Sequence, residues 1–283
     1  MVRACLGVGI ALTTLALAGH AAAAGADAGA AVLPDPFPGV AAAYLVRAGD
    51  ADLWGADVDR PLPPASLAKL MTALIIAEHL GDDPVVVVSQ RAAAAEGSRL
   101  GLRAGERVRV SMLLAAMLIR SANDACRALA EWHAGSERAF VVRMNDKARV
   151  WGLSGTHYTD ACGFDSPGQR STARDLARLG LRVQDDAALA RVVATVRFEV
   201  RTEGGRRIAI ENTNALLGRL PDVIGIKTGY TKGAGRCLVA MAERDGVRVL
   251  AVLLGAGDRW WDAVAMIEAA FDRLERTRDG RRR

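Results

Sequence analysis

An α+β fold is predicted for this chain: an antiparallel sheet built from both ends of the sequence, flanked by helices, with an α-rich lobe between. Two observations predict it. Apolar residues alternate with period two near residue 40 and again after residue 195, and between these stretches the apolar period is helical. A third observation sets the scale. With 283 residues, 51% hydrophobic and 5% aromatic, the chain can build a large core, which excludes a disulfide-dense miniprotein, a low-complexity disordered chain and a coiled coil.

The elements follow in order. Residues 40–46 read as a strand and 50–54 as its hairpin partner. Pro61, Pro63 and Pro64 form a stiff loop after it. Residues 66–80 are strongly helical, with Leu67, Leu70, Met71, Leu74 and Ile75 at i, i+3, i+4, i+7, i+8. That helix is apolar on nearly all sides and is expected to be central and buried. Residues 85–88 read as a short strand and 97–105 as a glycine-dotted loop. Helices are expected over 111–119 and 124–132, with a break at 120–123, then over 137–151, 172–183 and 186–193. A hairpin over 196–201 and 206–210 turns at Gly204-Gly205. A strand at 223–227 precedes a pair, 237–243 and 247–254, joined across Arg244-Asp245-Gly246. An amphipathic helix over 260–274 closes the fold, its face of Trp260, Val264, Ile267, Phe271 and Leu274 packing on the sheet. Trp260-Trp261 is assigned to core packing rather than to a membrane belt.

The N-terminus reads as a secretory signal over 1–24: Arg3, an apolar stretch over 5–18, and small residues ending at Ala24. The chain is therefore expected to be exported, periplasmic or secreted, with no transmembrane anchor after cleavage. Six Arg against Glu275 and Asp279 in the last eleven residues account for most of the net charge of +5. The body is close to neutral, which argues against nucleic acid as a partner. The tail is expected to be solvated and frayed.

Cys5 leaves with the signal, so Cys126, Cys162 and Cys237 remain in an oxidising compartment. Cys126 is expected to be a small buried hydrophobe in its helix. A bridge from Cys162 to Cys126 or Cys237 stays open, because connectivity is not readable from spacing. No Cys or His spacing suggests a metal. His79, His133 and His157 are scattered and are expected to be structural.

Lysine is scarce. Only Lys69, Lys147, Lys227 and Lys232 occur beside 33 Arg. Arg cannot give up its proton in a protein, whereas Lys can when buried. Two of the four lie in short motifs. Ser66-Leu67-Ala68-Lys69, Ser121-Ala122-Asn123 and Lys227-Thr228-Gly229 occur in that order. In a chain with nine Ser and four Lys, a chance Ser-x-x-Lys is expected ~0.13 times, Ser-x-Asn about as often and Lys-Thr-Gly ~0.02 times, so their joint occurrence needs a chemical reason.

That reason is available. At a helix start, residues i and i+3 share a face, so the Ser66 hydroxyl and Lys69 amine can meet. The free N–H groups there can stabilise a developing oxyanion. A serine nucleophile needs a base, and burial together with a second cation nearby, for which Lys227 is the candidate, would make Lys69 one. Taken alone, Ser66 would be a helix cap with a surface lysine beyond it. Ser121 can relay a proton and Asn123 can hold substrate amide groups, although Ser-Ala-Asn-Asp also satisfies plain turn chemistry. Lys227-Thr228-Gly229 ends a strand whose edge can pair with a peptide, Gly229 permitting close approach.

These motifs resemble the active-site elements of penicillin-binding proteins and β-lactamases. With Ala65–Thr72, Gly97-Ser98, Ser121–Ala125, Gly168-Gln169, Ser171–Asp175 and Gly225–Thr231, the chain is similar over residues 38–271 to low-molecular-mass penicillin-binding proteins, the D-alanyl-D-alanine carboxypeptidases. The resemblance implies the DD-peptidase/β-lactamase fold for a domain over 38–274, between a linker at 25–37 and the basic tail at 275–283. It implies Ser66 as nucleophile, Lys69 as base and Ser121 as proton relay. Asn123 and Lys227 would orient substrate, and the N–H groups of Ser66 and Tyr230 would form the oxyanion hole. Thr228 and Arg259 would hold the terminal carboxylate of the substrate, and Gly229 would let the substrate approach the backbone closely. Peptidoglycan stem peptides are the implied substrates and β-lactams the covalent inhibitors, with no cofactor. The rival readings are a DD-endopeptidase or a β-lactamase of the same fold and a non-catalytic penicillin- or muropeptide-binding module; the intact motifs favour an enzyme, and no carboxylate is assignable to the fast deacylation a β-lactamase needs. Two departures stand out: Ala122 where many relatives carry Gly, and Asp160-Ala161-Cys162-Gly163 where a His or Asn usually precedes that Gly.

Overall fold

Strands from the two ends of the chain meet in one sheet because both carry alternating apolar side chains with two faces to bury. A computed structural model describes residues 35–282. The signal segment and residues 25–34 of the linker lie outside the described residues. Strands β1 (Ala43–Ala48), β2 (Ala51–Ala56), β7 (Val223–Thr231), β8 (Gly235–Arg244) and β9 (Val247–Ala256) form an antiparallel sheet of order β2-β1-β9-β8-β7. Two small hairpins complete the strands: β3 (Val85–Val87) with β4 (Arg107–Arg109), and β5 (Arg197–Arg201) with β6 (Arg207–Glu211).

The alternation sorts the sheet into two cores. Leu238, Ala240 and Ala242 of β8 and Val249, Ala251 and Leu253 of β9 face one way, against Ala263, Met266, Ile267, Ala270 and Phe271 of helix α8 (Arg259–Arg282). Val239 and Met241 with Leu250, Val252 and Leu254 face the helical lobe. Helix α1 (Lys69–Ala77) lies at the centre of the lobe, buried from Lys69 to Ile76, as its apolar circumference predicts. Around it lie α2 (Gln90–Ala93), α3 (Val110–Ile119), α4 (Asn123–Ala134), α5 (Glu137–Val150), α6 (Ala173–Asp185) and α7 (Ala187–Ala194). Side-chain caps start several of them: Ser136 accepts from the Ala139 N–H, Thr172 from that of Asp175, and Asp186 from those of Ala188 and Leu189.

Several expectations are corrected. The predicted helix over 66–80 begins as a 3₁₀ turn, Ala65–Ala68, and only then becomes α1. The linker residues before 38 are not free of the domain. Phe37 packs edge-on against Tyr44 and Trp54, and the Tyr44 hydroxyl donates to Asp35. The tail is helical rather than frayed, since α8 runs to Arg282: Arg and Glu are good helix formers, and Arg276 reaches Asp272 one turn back. Trp260 packs on the α8 core, whereas Trp261 is 74% exposed. His79 and His133 meet, ring nitrogens 3.1 Å apart, and burial with the neighbouring charge pushes His133 down to about 4. Among the described residues no helix is long and apolar enough to cross a membrane.

Candidate active site

Three elements meet around the Ser66 turn, and each contributes one of the motifs. The 3₁₀ turn presents Ser66. Its rigid approach comes from Pro63 and Pro64 and from Ala65, held at φ +49°, a left-handed conformation that costs an ordinary residue about 1–3 kcal/mol. Ser66 is the second residue of the turn, so its N–H is one of the donors the turn itself does not use. The side chain is half-buried and open to a substrate.

Lys69, the first residue of α1, is fully buried. Its amine donates to the Ser66 hydroxyl at 2.9 Å, to Asn123 Oδ1 at 2.8 Å and to the Cys162 carbonyl at 2.5 Å. Burial pushes the amine down to about 7, while the negative charge of Asp160 pulls it back up. The expectation that Lys227 supplies the depressing cation is corrected here. Burial alone lowers Lys69, and it is Lys227 that is held well below its ordinary value, by burial and then by the charges of Lys69 and Arg259.

The break between α3 and α4 presents the second motif. Ser121 also sits left-handed, at φ +62°, and is 7% exposed. Asn123 is fixed at both ends of its amide: Oδ1 accepts from Lys69 and Nδ2 donates to the Glu96 carbonyl at 2.7 Å. Its own N–H donates to the Ser98 carbonyl at 2.7 Å, which ties the glycine-dotted loop to the site. Asp124 completes that tie by accepting from the N–H groups of Leu100, Gly101 and Leu102.

The third motif lies on β7, the edge strand of the sheet. Gly229 packs so closely on the nucleophile turn that a Cβ would stand 3.0 Å from Ala65 Cβ, 3.1 Å from the Pro64 carbonyl and 3.2 Å from the Ser66 nitrogen. Only glycine brings the strand this near. Tyr230 itself is 63% exposed. Lys227 is buried and donates to the Thr228 carbonyl at 3.1 Å. The Thr228 hydroxyl pairs with that of Thr213 at 2.7 Å. Arg259, the first residue of α8, reaches this strand and donates through Nη1 to the Gly229 carbonyl at 2.7 Å and to that of Cys237 at 3.3 Å. Its guanidinium lies over Trp260, and among the described residues its buried Nε has no partner.

The contacts join Ser66, Lys69 and Asn123 directly, Gly229 packs on the Ser66 turn, and Arg259 reaches the Gly229 carbonyl. Sequence reasoning missed the segment behind them. Cys162 and Gly163 form the floor under Lys69 and Ala65, and the Asp160 carboxylate caps the N–H groups of Cys162, Gly163 and Phe164. The departure at 160–163 marked this segment, but a backbone carbonyl leaves no trace in residue type. Nothing in the sequence pointed to Thr213. The cysteine expectation is corrected too: Cys126 is not a lone buried hydrophobe but is bonded to Cys162, with Cα atoms 5.9 Å apart, and Cys237 is free and buried.

A serine hydroxyl bonded to a buried, readily neutral amine, beside an amide and an open strand edge, is the arrangement that serine acyl transfer requires. The comparisons narrow this class. The Peptidase S11 family, described as D-alanyl-D-alanine carboxypeptidase, matches residues 48–258, and the chain belongs to that family. It is 34% identical over 231 residues to the D-alanyl-D-alanine carboxypeptidase DacF of Bacillus subtilis, covering 79% of this chain and 59% of that protein. It is 32% identical over 249 residues to DacB2 of Mycobacterium tuberculosis, covering 85% and 84%. Among solved structures, the Streptomyces K15 DD-transpeptidase superposes with a TM-score of 0.78 at 26% identity, covering 82% of this chain and 97% of that one. A D-alanyl-D-alanine carboxypeptidase from M. tuberculosis superposes with 0.76 at 31%, covering 82% and 90%. These matches establish the penicillin-binding fold expected from the motifs. The chain spans 59% of the B. subtilis relative and 52% of the Escherichia coli relative DacC.

Proposed function

We propose that the chain is a serine D-alanyl-D-alanine carboxypeptidase that removes the terminal D-alanine from peptidoglycan stem peptides through an acyl-enzyme and is acylated by β-lactams. The observation that carries this reading is the Ser66–Lys69–Asn123 contact set, with a buried amine pushed down to about 7. Family membership supports the substrate class.

In this reading a stem peptide lies along the β7 edge. Neutral Lys69 takes the Ser66 proton as Oγ attacks the carbonyl between the two D-alanines. The oxyanion is held by the N–H groups of Ser66 and Tyr230, a contribution of about 3 kcal/mol per donor in serine hydrolases. The tetrahedral intermediate collapses, the C–N bond breaks, and the departing amine takes a proton relayed from Lys69 through Ser121. Water, deprotonated by the same amine, then attacks the ester and releases the shortened peptide and Ser66. Asn123 and Lys227 orient the substrate amides. Thr228 and Arg259 hold the terminal carboxylate, for which a guanidinium offers a paired grip.

The domain responsible covers 38–274, with the packed residues from Asp35 as its entry. Export through the signal at 1–24 would place it where peptidoglycan lies. The test is mass spectrometry after benzylpenicillin, together with release of D-alanine from a D-Ala-D-Ala peptide. One adduct on the Ser66 peptide and turnover lost in Ser66→Ala are expected. An adduct on Ser121, or turnover surviving in Ser66→Ala, overturns the assignment. An adduct without any release of D-alanine replaces the enzyme with a binding module.

A further inference from the structure

We propose that the Cys126–Cys162 disulfide is a positioning element of the acyl-transfer site, holding the Cys162 carbonyl on the Lys69 amine. The inference rests on the proposed serine chemistry and goes beyond it. Lys69 has three acceptors: the Ser66 hydroxyl, Asn123 Oδ1 and the Cys162 carbonyl. Asn123 begins α4, and Cys126 lies one turn along the same helix. The bond from Cys126 to Cys162 therefore makes two of the three acceptors parts of one rigid body.

Without the bond, Cys162 would sit in an irregular segment between α5 and α6. That segment is held by the Asp160 carboxylate on its own N–H groups and by Gln169, which accepts from the Thr159 and Asp160 N–H groups. The segment is also tied to the lobe on either side of Cys162: the Thr72 hydroxyl of α1 donates to the Ala161 carbonyl at 2.7 Å, and Gly163 packs on Ala65. Those ties act on its neighbours, and the disulfide is the link that acts on Cys162 itself. The neighbouring tie to α5, from the Ala161 N–H to Glu137, is long at 3.3 Å. Irregular segments open more readily than helices, and a carbonyl acceptor moves with its segment. The disulfide removes that freedom where the proton transfer needs a fixed partner.

Both sulfurs are buried, Cys126 at 0% and Cys162 at 1% exposure, so the bond is a brace and not an accessible switch. Its chemical consequence is specific. A carbonyl accepting from the amine favours the ammonium form that Lys69 takes on when Ser66 gives up its proton. The charged groups around Lys69 are Asp160 on the braced segment and Lys227 on β7, with Arg259 acting on Lys227. Asp124 of α4 is spent on the 100–102 loop, Glu137 of α5 on Arg127 and Ala161, and Asp175 of α6 on Gly155 and Thr156. Loosening the carbonyl leaves burial less opposed, and Lys69 becomes a weaker base.

The experiment compares the full chain with its Cys126→Ala/Cys162→Ala variant, which keeps the carbonyl and removes the bond. D-alanine release and penicillin acylation are followed across pH. A fall in kcat of about tenfold with KM little changed is expected. The acidic limb of kcat/KM should move down by about one pH unit, the worth of a hydrogen bond to a charged group. A limb that stays in place, whatever the plateau does, overturns the proposal and leaves the bond a plain cross-link of a 36-residue loop. If that variant does not fold, the Cys126→Ser/Cys162→Ser variant, closer in side-chain size, is read in its place with the same shift of the limb expected, and a chain that folds in neither form overturns the proposal. Penicillin acylation with no D-alanine release would refute the carboxypeptidase reading, and the brace would then be judged on the acylation limb alone.

Discussion

Gly163 tests the idea that the floor of the cleft positions the nucleophile. It has φ +88°, and a Cβ there would stand 1.9 Å from the Ala65 carbonyl oxygen, 2.3 Å from its carbon and 2.8 Å from the Ser66 nitrogen. A carbon rests no nearer a carbonyl oxygen than about 3.3 Å, so Gly163→Ala forces the two segments apart by roughly 1.4 Å. The left-handed backbone costs alanine about 1–2 kcal/mol, and overpacking adds about 1–3 kcal/mol. The variant should lose about 2–5 kcal/mol of stability and melt roughly 5–15 °C lower. Because the displaced atoms carry Ser66, acylation should slow by about a hundredfold even well below the melting point. Gly152→Ala supplies the control. It has φ +66° and nothing within 4 Å of an added Cβ, so it carries the strain without the collision. It should melt only a few degrees lower and be acylated at the wild-type rate. Stopped-flow acylation with a fluorescent penicillin, at a temperature where both variants are folded, measures the difference. Equal acylation rates in the two variants would refute the reasoning, because they would show that Gly163 does not set the position of Ser66.

Lys69→Arg should be nearly inactive although it keeps the positive charge, because a guanidinium cannot take the Ser66 proton; D-alanine release near the wild-type rate would exclude Lys69 as the base. With Lys69 pushed down to about 7, the base is protonated below that pH, so kcat/KM should fall about tenfold per unit on the acid side and level off above it. A limb near the ordinary lysine value would contradict the burial argument. Arg259→Ala should slow hydrolysis of a peptide with a free terminal carboxylate more than acylation by its amidated analogue. Equal loss on both would leave Arg259 as a brace on the Gly229 carbonyl and raise the endopeptidase reading.

The α+β order was legible because hydrophobic period is a local property. Strands near 43–56 and 223–256, the buried helix after Ser66, and α3 to α7 all lie where the apolar spacing places them. The three motifs were legible for a related reason: nucleophile, base and amide chemistry belong to side chains, and Ser66, Lys69, Ser121, Asn123 and Lys227 carry it in their residue types. What required the tertiary structure was everything supplied by the backbone or by contacts between distant segments. The third acceptor for Lys69 is a carbonyl, identical in every residue, and only its position identifies it as Cys162. The pairing of Cys126 with Cys162 rather than Cys237 depends on which two of three sulfurs the fold brings together. The cause of the Lys69 shift was likewise settled by packing. A cation at Lys227 and burial under α1 are equivalent on paper, and the depth at which the amine is enclosed decides between them, because desolvation grows with burial and is not a property of sequence.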